Sequence, residues 1–387
     1  MSRAAPPLAE GLASLEREGL ARRRRVLATA QGSRVVIDGR EAINFSSNDY
    51  LGLAAHPELR RAAHEAIDRW GTGAGASPLV SGHLGIHEEA ERRFAGFVGL
   101  PRALLFGSGY AANLGVLTAL CDRHAEIFAD RLNHACLNDG ALLSRATFTR
   151  FAHSDLDALA ARLEASTAEV RVVATDAVFS MDGDVADVPR LAELCERHDA
   201  WLLLDDAHGI GVLGATGRGV LEHFGARSPR IVYMATLGKA LGGYGAFVAG
   251  GEDLVEWLLQ RARTYIFSTA LPATAAATAL AAMGLLERDA SLVSTLQSRI
   301  RQFRHLAIAE RVPLRDSSTA IQPIPIGDPR RAVAASQRLL ERGFFVPAIR
   351  PPTVPEGTSR LRVSLSAAHS VADVDALVAA LVGVLAS

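Results

Sequence analysis

Residues 231–247 read IVYMATLGKALGGYGAF and contain Lys239. The run 231–235 is continuously apolar, and the small residues and glycines after it indicate a tight turn at the end of a buried strand. Of the 41 lysine and arginine residues in the chain, Lys239 is the only lysine. Arginine can supply positive charge elsewhere, but it cannot lose its proton at working pH and attack a carbonyl carbon. We therefore predict a nucleophilic role for Lys239, in preference to chance survival on an exposed helix.

Short apolar runs of the same kind recur along the chain and alternate with helical patterns. We predict strands at residues 103–106, 127–129, 170–175, 201–204, 231–235 and 246–249. The runs are continuous rather than alternating, which is typical of parallel strands that are covered on both faces. Several lie about 30 residues apart, the length of a strand–helix–strand unit. The sequence therefore predicts an α/β fold with a large, mixed, mostly parallel sheet.

The two ends of the chain have different patterns. Residues 1–45 are predicted to form a helix and a hairpin that turns at Asp38–Gly39 and packs with the tail or on a partner subunit. The tail is predicted to contain strands at 320–326, 344–348 and 361–365, with helices at 329–342 and 371–385. We therefore expect an N-terminal segment (1–45), a large α/β domain (46–285) and a smaller α+β domain (286–387).

Composition excludes several classes of protein. The formal net charge is −1, so nothing indicates bulk attraction to nucleic acid or to a membrane, and the basic run 22–25 is interpreted mainly as a solvated helix end. The stretch 270–286 is uncharged but short for a membrane span, which favours a buried helix. Three cysteines without a CxxC pair, and no signal peptide before them, favour the reducing cytoplasm.

Polar residues follow several of the predicted strands. The turn 107–109, with sequence GSG, leads from one strand into a helical run that begins at Tyr110. Such a turn presents free N–H groups and the positive end of a helix dipole to a phosphate, although ordinary strand–helix turns share this composition. Thr236 directly follows the strand at 231–235. Ligands of open α/β sheets bind beyond the carboxyl ends of the strands, so we expect these groups to lie together.

Acidic and imidazole side chains follow two other strands. His134 comes after the strand at 127–129, although a lone histidine is more often structural. Asp205 and Asp206 directly follow the strand at 201–204, and His208 comes next but one. A carboxylate at a buried strand end is costly unless it meets a cation, so this DDAH stretch could also provide two ligands for a divalent metal. No further acid-and-histidine cluster at a suitable spacing supports the metal interpretation.

Together these strand ends supply a phosphate-type turn, an imidazole, a buried carboxylate, a hydroxyl and the only lysine. Pyridoxal 5'-phosphate needs such a set, because its aldehyde bonds to a lysine amine and its protonated ring nitrogen needs a carboxylate partner. Its phosphate, phenolic oxygen and flat ring require the remaining groups. The sequence therefore predicts pyridoxal phosphate as the cofactor and no metal.

The chain also resembles the α-oxoamine synthases among the fold-type I pyridoxal phosphate enzymes, over nearly its whole length. The resemblance rests on NFSSNDYLGL (44–53), FGSGYAAN (106–113), DRLNHA (130–135), VFSMDGD (178–184), DDAHGIGVLG (205–214), TLGKALGG (236–243), FSTALP (267–272) and AIRPPTVPEGTSRLRVSLSAAH (348–369). Together these motifs are highly specific, whereas singly only DDAHG and TLGK are persuasive.

The resemblance implies a catalytic role for four residues. Lys239 would bond to the cofactor aldehyde and later move the proton at the substrate Cα. Asp205 would pair with the ring nitrogen and His208 with the phenolic oxygen. His134 would stack over the ring and border the substrate.

Further contacts with the cofactor and the substrates follow from the same resemblance. The Gly109–Tyr110 backbone and Thr236 would hold the phosphate region, with Ser180 also at the cofactor. Ser268 and Thr269 would reach the cofactor phosphate of a neighbouring subunit, which implies a homodimer with shared active sites. The substrate side would include Arg22, Asn48, His134, Thr353 and Arg362.

The implied reaction is a decarboxylative condensation of L-alanine with a pimeloyl thioester, carried by coenzyme A or by an acyl carrier protein. Sibling enzymes of the family remain alternatives, such as 2-amino-3-ketobutyrate ligase, which joins glycine to acetyl-CoA, 5-aminolevulinate synthase and serine palmitoyltransferase. A nicotinamide oxidoreductase is disfavoured because GTGAGAS (71–77) follows a helical stretch rather than a strand. A non-catalytic regulator is disfavoured because the chain has no basic DNA-binding module.

Overall fold

The computed structural model of the chain describes residues 7–18, 20–22 and 24–385. The helices are α1 (Leu8–Arg17), α2 (Pro57–Trp70), α3 (Gly85–Val98), α4 (Gly109–Leu120), α5 (Ala135–Ser144), α6 (Leu156–Ala165), α7 (Val188–Arg197), α8 (Val220–Phe224), α9 (Glu252–Arg261), α10 (Arg263–Ile266), α11 (Ala273–Arg288), α12 (Ser291–Ala309), α13 (Pro329–Glu341) and α14 (Val371–Leu385), with a π-helical turn at Pro78–Gly82. The strands are β1 (Arg34–Ile37), β2 (Arg40–Asn44), β3 (Arg102–Phe106), β4 (Ala125–Asp130), β5 (Thr147–Phe151), β6 (Val170–Asp176), β7 (Trp201–Asp205), β8 (Ile231–Thr236), β9 (Ala246–Gly250), β10 (Ile321–Gly327), β11 (Phe344–Phe345), β12 (Ala348–Ile349) and β13 (Ser359–Ser364).

A seven-stranded sheet in the order β3-β9-β8-β7-β6-β4-β5 forms the centre of the protein. Neighbouring strands from β8 to β5 are parallel, whereas β9 runs antiparallel to both β8 and β3. Leu202 and Leu204 of β7 belong to one hydrophobic core and Leu203 to the other, so both faces of the sheet are covered. The prediction of a mixed, mostly parallel sheet is confirmed.

All six predicted strands of this sheet are present, whereas β5 was not predicted. This strand lies at the edge of the sheet, and its sequence TFTRF is mostly half-buried or exposed. An edge strand with polar residues lacks the continuous apolar run that identified the buried strands.

Two three-stranded sheets join the ends of the chain. β1 and β2 form the predicted hairpin, with positive φ angles of 50° at Asp38 and 78° at Gly39. The predicted single strand at 344–348 is wrong. β11 pairs with β2 and β12 pairs with β13, and Pro347 between them has no N–H to continue a ladder. The β2–β11 pairing confirms that the N-terminal segment packs with the tail.

The uncharged stretch predicted as a buried helix forms α11, which packs against α2 and α3. Within the described ranges, no helix is both long and apolar enough to cross a membrane. The domain boundaries at 45/46 and 285/286 stay a prediction.

The register of the central sheet determines where the polar strand ends meet. Asp176 at the end of β6 pairs with Asp205 at the end of β7, and Asp205 pairs with Met234 near the end of β8. The parallel direction thus brings three carboxyl ends to one edge, where the predicted functional residues follow.

Candidate active site

Lys239 lies in the turn between β8 and β9. The backbone of Leu237 closes this turn, since its N–H donates to the Gly245 carbonyl at 2.9 Å and its carbonyl accepts from the Gly243 N–H at 2.8 Å. The Nζ of Lys239 is 3.0 Å from Nε2 of His208. Burial lowers the pKa of Lys239, and Asp205 and Asp176 act against this effect. The amine can therefore lose its proton more readily than an exposed lysine.

His208 connects Lys239 to a buried polar network. Its Nδ1 is 2.7 Å from the hydroxyl of Tyr50, which is fully buried. Burial, followed by the charges of Lys239 and Arg362, holds the pKa of His208 well below its usual value. The imidazole is therefore neutral in the physiological range.

Arg362 and Asn48, both predicted to lie on the substrate side, belong to this network. The guanidinium of Arg362 donates to the Asn48 Oδ1 at 3.1 Å and to the Tyr50 hydroxyl at 3.4 Å. Its Nε donates to the Ser180 carbonyl at 2.7 Å. The structure thus connects Asn48, Ser180 and Arg362 to Lys239 through Tyr50 and His208.

Asp205 is buried near Lys239. Its Oδ2 accepts from the Asn113 side chain at 2.7 Å, and its Oδ1 accepts from the Ala207 N–H at 3.0 Å. Asp176 is buried beside it and accepts from the His134 N–H at 2.6 Å. Burial and then the charge of Asp205 raise the pKa of Asp176 well above its usual value. The raised pKa favours a neutral, protonated Asp176.

Asp206 has a different environment from Asp205. Its Oδ2 accepts from the Tyr233 hydroxyl at 2.7 Å and from the Val220 N–H at 2.8 Å, and burial raises its pKa to about 7. The two neighbouring carboxylates share no partner, which argues against the metal-pair interpretation. Among the described residues, the group with suitable ligand spacing lies elsewhere, at His83, Glu88 and Glu91.

His134 caps α5 and borders a cleft of about 560 Å³. Its Nδ1 is 2.8 Å from the Cys136 sulfur, and that sulfur is 3.9 Å from Oδ2 of Asp205. The predicted residues Arg22, Ser180 and Thr353 also line this cleft. The cleft therefore brings together residues from the N-terminal segment, the central sheet and the tail. Its remaining lining residues are Arg131, Leu132, Asn133, Ala135, Asn138, Arg150, Met181, Pro352, Val354 and Pro355.

The N-terminus of α4 meets the end of β8. Ser108 caps the helix by accepting from the Ala111 N–H at 3.1 Å. A Cβ at Gly109 would lie 2.7 Å from Cγ2 of Thr236, so only glycine permits this close approach. The structure therefore brings Gly109, Tyr110 and Thr236 together at a helix N-terminus, as expected for a phosphate site.

Ser268 and Thr269 are exposed, in the loop between α10 and α11. This loop is fixed to the segment before the π-helical turn, because the Ala270 N–H donates to the Ala76 carbonyl at 2.9 Å. The structure records no contact between this pair and the network of Lys239 within the described part of the chain.

The residues present fit pyridoxal phosphate. The buried carboxylate of Asp205, close to Lys239, suits a protonated ring nitrogen. Gly109 begins α4 close to Thr236, and the free N–H groups at this helix N-terminus suit a phosphate group. A lysine amine with a lowered pKa suits an aldehyde.

The family model of class I and II aminotransferases matches residues 40–381. The chain belongs to this family. Within it, the chain is 57% identical to the 8-amino-7-oxononanoate synthase of Methylobacillus flagellatus, over 97% of this chain and 96% of that protein. It is 54% identical to the synthase of Herminiimonas arsenicoxydans, over 96% of this chain and 97% of that protein.

Two solved structures superimpose on most of the chain. Serine palmitoyltransferase of Sphingomonas wittichii superimposes with a TM-score of 0.92 at 30% identity, over 98% of this chain and 96% of that chain. The 8-amino-7-oxononanoate synthase of Francisella tularensis superimposes with a TM-score of 0.78 at 30% identity, over 89% and 98%. The predicted family resemblance, fold class, enzyme class and cofactor are confirmed.

Three residues of the site had no role predicted from the sequence. Tyr50 lies in the quoted motif NFSSNDYLGL, and Asn113 ends the motif FGSGYAAN. Asp176 directly follows the predicted strand at 170–175, so the rule that located Asp205 also applies to it. The position after the strand was an available signal for Asp176, whereas Tyr50 could be found only from its contact with His208.

Proposed function

We propose that this chain catalyses the pyridoxal phosphate-dependent condensation of L-alanine with a pimeloyl thioester. The products are 8-amino-7-oxononanoate, carbon dioxide and the free thiol, and the reaction belongs to biotin biosynthesis. Curated relatives that are 52–57% identical across nearly the whole chain carry the name of this activity. The geometric observation that carries the proposal is the Lys239 amine 3.0 Å from neutral His208.

Four side chains have catalytic roles in this proposal. The cofactor, when bound, supplies an aldehyde and a ring that withdraws electrons from the Cα of the amino acid. Lys239 would hold the cofactor through its aldehyde, and its amine, with a lowered pKa, would move the proton at that Cα. Asp205 would pair with the ring nitrogen, His208 would pair with the phenolic oxygen, and His134 would stack over the ring.

The remaining predicted contacts divide between the phosphate and the substrates. The backbone of Gly109 and Tyr110 and the side chain of Thr236 would hold the phosphate, since Gly109 and Tyr110 begin α4 and Gly109 packs against Thr236 at the end of β8. Ser180, which lines the cleft, would also contact the cofactor.

The substrates occupy two regions of the site. Arg362 and Asn48 bind the amino acid, because the guanidinium is buried within the network of Lys239. Arg22, Thr353 and His134 face the acyl donor in the cleft.

The active enzyme is proposed to be a homodimer in which Ser268 and Thr269 reach the partner's cofactor phosphate. Both are exposed and directly follow the exposed Phe267, so this loop is accessible to a partner subunit.

The proposal also covers the domain arrangement of the site and the cellular location of the enzyme. The site combines residues of the proposed large domain (46–285) with Thr353 and Arg362 of the proposed small domain (286–387). We place the enzyme in the cytoplasm, which is consistent with three free, buried cysteines.

Paired substrate assays test the proposed function. The purified chain, loaded with pyridoxal phosphate, is given L-alanine or glycine with pimeloyl-CoA, pimeloyl acyl carrier protein or acetyl-CoA. We expect L-alanine with a pimeloyl donor to give the highest kcat/KM, and Lys239→Ala to abolish turnover. A preference for glycine and acetyl-CoA would favour the 2-amino-3-ketobutyrate ligase alternative, and a fully active Lys239→Ala would contradict the mechanism.

A further inference from the structure

A continuous series of hydrogen bonds leads from Lys239 to Arg362. The Lys239 Nζ is 3.0 Å from His208 Nε2, and His208 Nδ1 is 2.7 Å from the Tyr50 hydroxyl. That hydroxyl is 3.0 Å from Asn48 Oδ1, and Asn48 Oδ1 is 3.1 Å from Arg362 Nη1. Tyr50 is the middle member of the series and is fully buried, so no solvent can replace its contacts.

The direction of each hydrogen bond follows from the arginine. A guanidinium has only donors, so the Asn48 atom that faces Arg362 must be the amide oxygen. An amide oxygen only accepts, so the Tyr50 hydroxyl must donate its proton to Asn48. The Tyr50 oxygen can then only accept from His208, and it also accepts from Arg362 Nη2 at 3.4 Å.

The same reasoning determines the protonation of His208. Its Nδ1 must carry the proton, since Tyr50 has no second hydrogen to donate to it. A neutral imidazole has one N–H, so Nε2 is left as an acceptor for the Lys239 amine. Each donor in the series therefore faces an acceptor, and each acceptor faces a donor.

We propose that Tyr50 is a positioning residue. Arg362 orients the Asn48 oxygen, so Tyr50 donates its proton to Asn48 and accepts from His208, which holds His208 as the neutral Nδ1–H tautomer beside Lys239. This inference rests on the proposed function only in taking Lys239 as the reacting amine. Nε2 then holds the amine in place without adding a positive charge beside it. Besides Arg362 and His208, the ionisable groups that face Lys239 are Asp205, Asp176, Cys136 and His134, and none of these four hydrogen bonds to Nζ in the described structure.

The experiment measures the tautomer and the amine directly in the full chain free of cofactor. Lysine labelled with ¹³C at Cε gives a single side-chain resonance, because Lys239 is the only lysine, and its pH titration gives the pKa. Histidine labelled with ¹⁵N reports the tautomer, with His208→Gln identifying the signal. We expect the Nδ1–H tautomer in the wild type.

Tyr50→Phe removes the hydroxyl and keeps the buried ring. We expect the His208 proton to shift to Nε2, because a buried Nδ1–H without an acceptor is costly. We also expect the pKa of Lys239 to fall, because Nε2–H can no longer accept from the ammonium. Should this variant not fold, Asn48→Ala serves instead, since a Tyr50 hydroxyl without Asn48 turns its proton to Nδ1 and forces the same shift.

Tyr233→Phe is the matched control. Tyr233 is also fully buried and donates to a carboxylate, that of Asp206, but it has no contact with His208. It should lose stability without changing the His208 tautomer or the pKa of Lys239. A wild type with the Nε2–H tautomer would overturn the proposal, and so would a folded Tyr50→Phe or Asn48→Ala with wild-type values. Both readouts remain valid if the chain fails to condense L-alanine with a pimeloyl thioester.

Discussion

At the scale of single residues, Asp205 and Asp206 differ in partner rather than in chemistry. Asp205 accepts from Asn113 and lies near Lys239 and His134. Asp206 is enclosed by Tyr233, Val220 and two glycines. A Cβ on Gly209 would lie 1.9 Å from Asp206 Oδ1, and a Cβ on Gly219 would lie 2.1 Å from its Oδ2. Asp206 therefore supports the turn after β7, and Asp205 faces the reacting groups.

This difference predicts opposite outcomes for the same substitution at neighbouring positions. Asp205→Asn should reduce turnover by about 100-fold or more, because a neutral amide cannot keep the ring nitrogen protonated. Asp206→Asn should retain turnover within about threefold, since its amide oxygen can still accept from Tyr233 and Val220. Steady-state kinetics and thermal unfolding of both variants check this. Equal losses of turnover would contradict the assignment.

At the scale of elements, the loop between β6 and α7 is held by side chains from distant parts of the chain. The Gly183 carbonyl accepts from the hydroxyls of Ser317 at 2.8 Å and Thr319 at 3.0 Å. Buried Arg360 pairs with Asp182 at 2.6 Å, in the same loop. Since this loop also contains Ser180, the tail of the chain positions one border of the active site.

Gly183 is the residue on which this loop depends most. Its φ is +75°, and a Cβ there would lie 2.4 Å from the Ile321 carbonyl oxygen. Gly183→Ala should therefore lower the free energy of unfolding by about 2 kcal/mol or more. Gly251→Ala is the control, because its φ is −62° and a Cβ meets no atom within 4 Å. Chemical denaturation measures both, and equal stabilities would contradict this account.

His153 fixes the same loop to the end of β4. Its Nδ1 is 3.1 Å from Asp130 and its Nε2 is 2.9 Å from Asp184. Burial alone would lower the pKa of His153, but hydrogen bonds to these two carboxylates outweigh it and raise the pKa to about 10. The folded state therefore binds this proton more tightly than the unfolded state does.

The sign of this shift predicts a pH dependence of stability. The contribution of His153 is fully present below its unfolded pKa of about 6.5 and is lost as the pH rises to about 10. The difference in unfolding free energy between the wild type and His153→Gln should therefore shrink over that range. Denaturation at a series of pH values measures it, and a constant difference would mean that His153 does not carry the stabilising charge.

At the scale of the whole molecule, the proposed dimer predicts complementation between two defective subunits. Lys239→Ala alone should be inactive, and Ser268→Ala/Thr269→Ala should bind the cofactor weakly. In a mixed dimer, one site combines Lys239 from one subunit with Ser268 and Thr269 from the other. That dimer should recover about half of the wild-type activity. No recovery in isolated mixed dimers would mean that the sites are not shared.

Much of the fold could be predicted because it follows from local patterns. Each buried parallel strand has a continuous apolar run, and the Asp38–Gly39 turn has a local backbone preference, so both can be read from neighbouring residues. The strand β5 and the separation of β11 from β12 could not be predicted. They depend on which strands lie at a sheet edge and on which partner each short segment meets.

The sequence by itself determined the chemistry of this protein: one lysine at the end of a buried strand, with a carboxylate and imidazoles at neighbouring strand ends. Tertiary structure alone decided that Asn113 donates to Asp205 and that Tyr50 meets His208. The physical reason is that strand patterns arise from adjacent residues, whereas a buried hydrogen bond exists only where packing brings a donor and an acceptor from distant segments together.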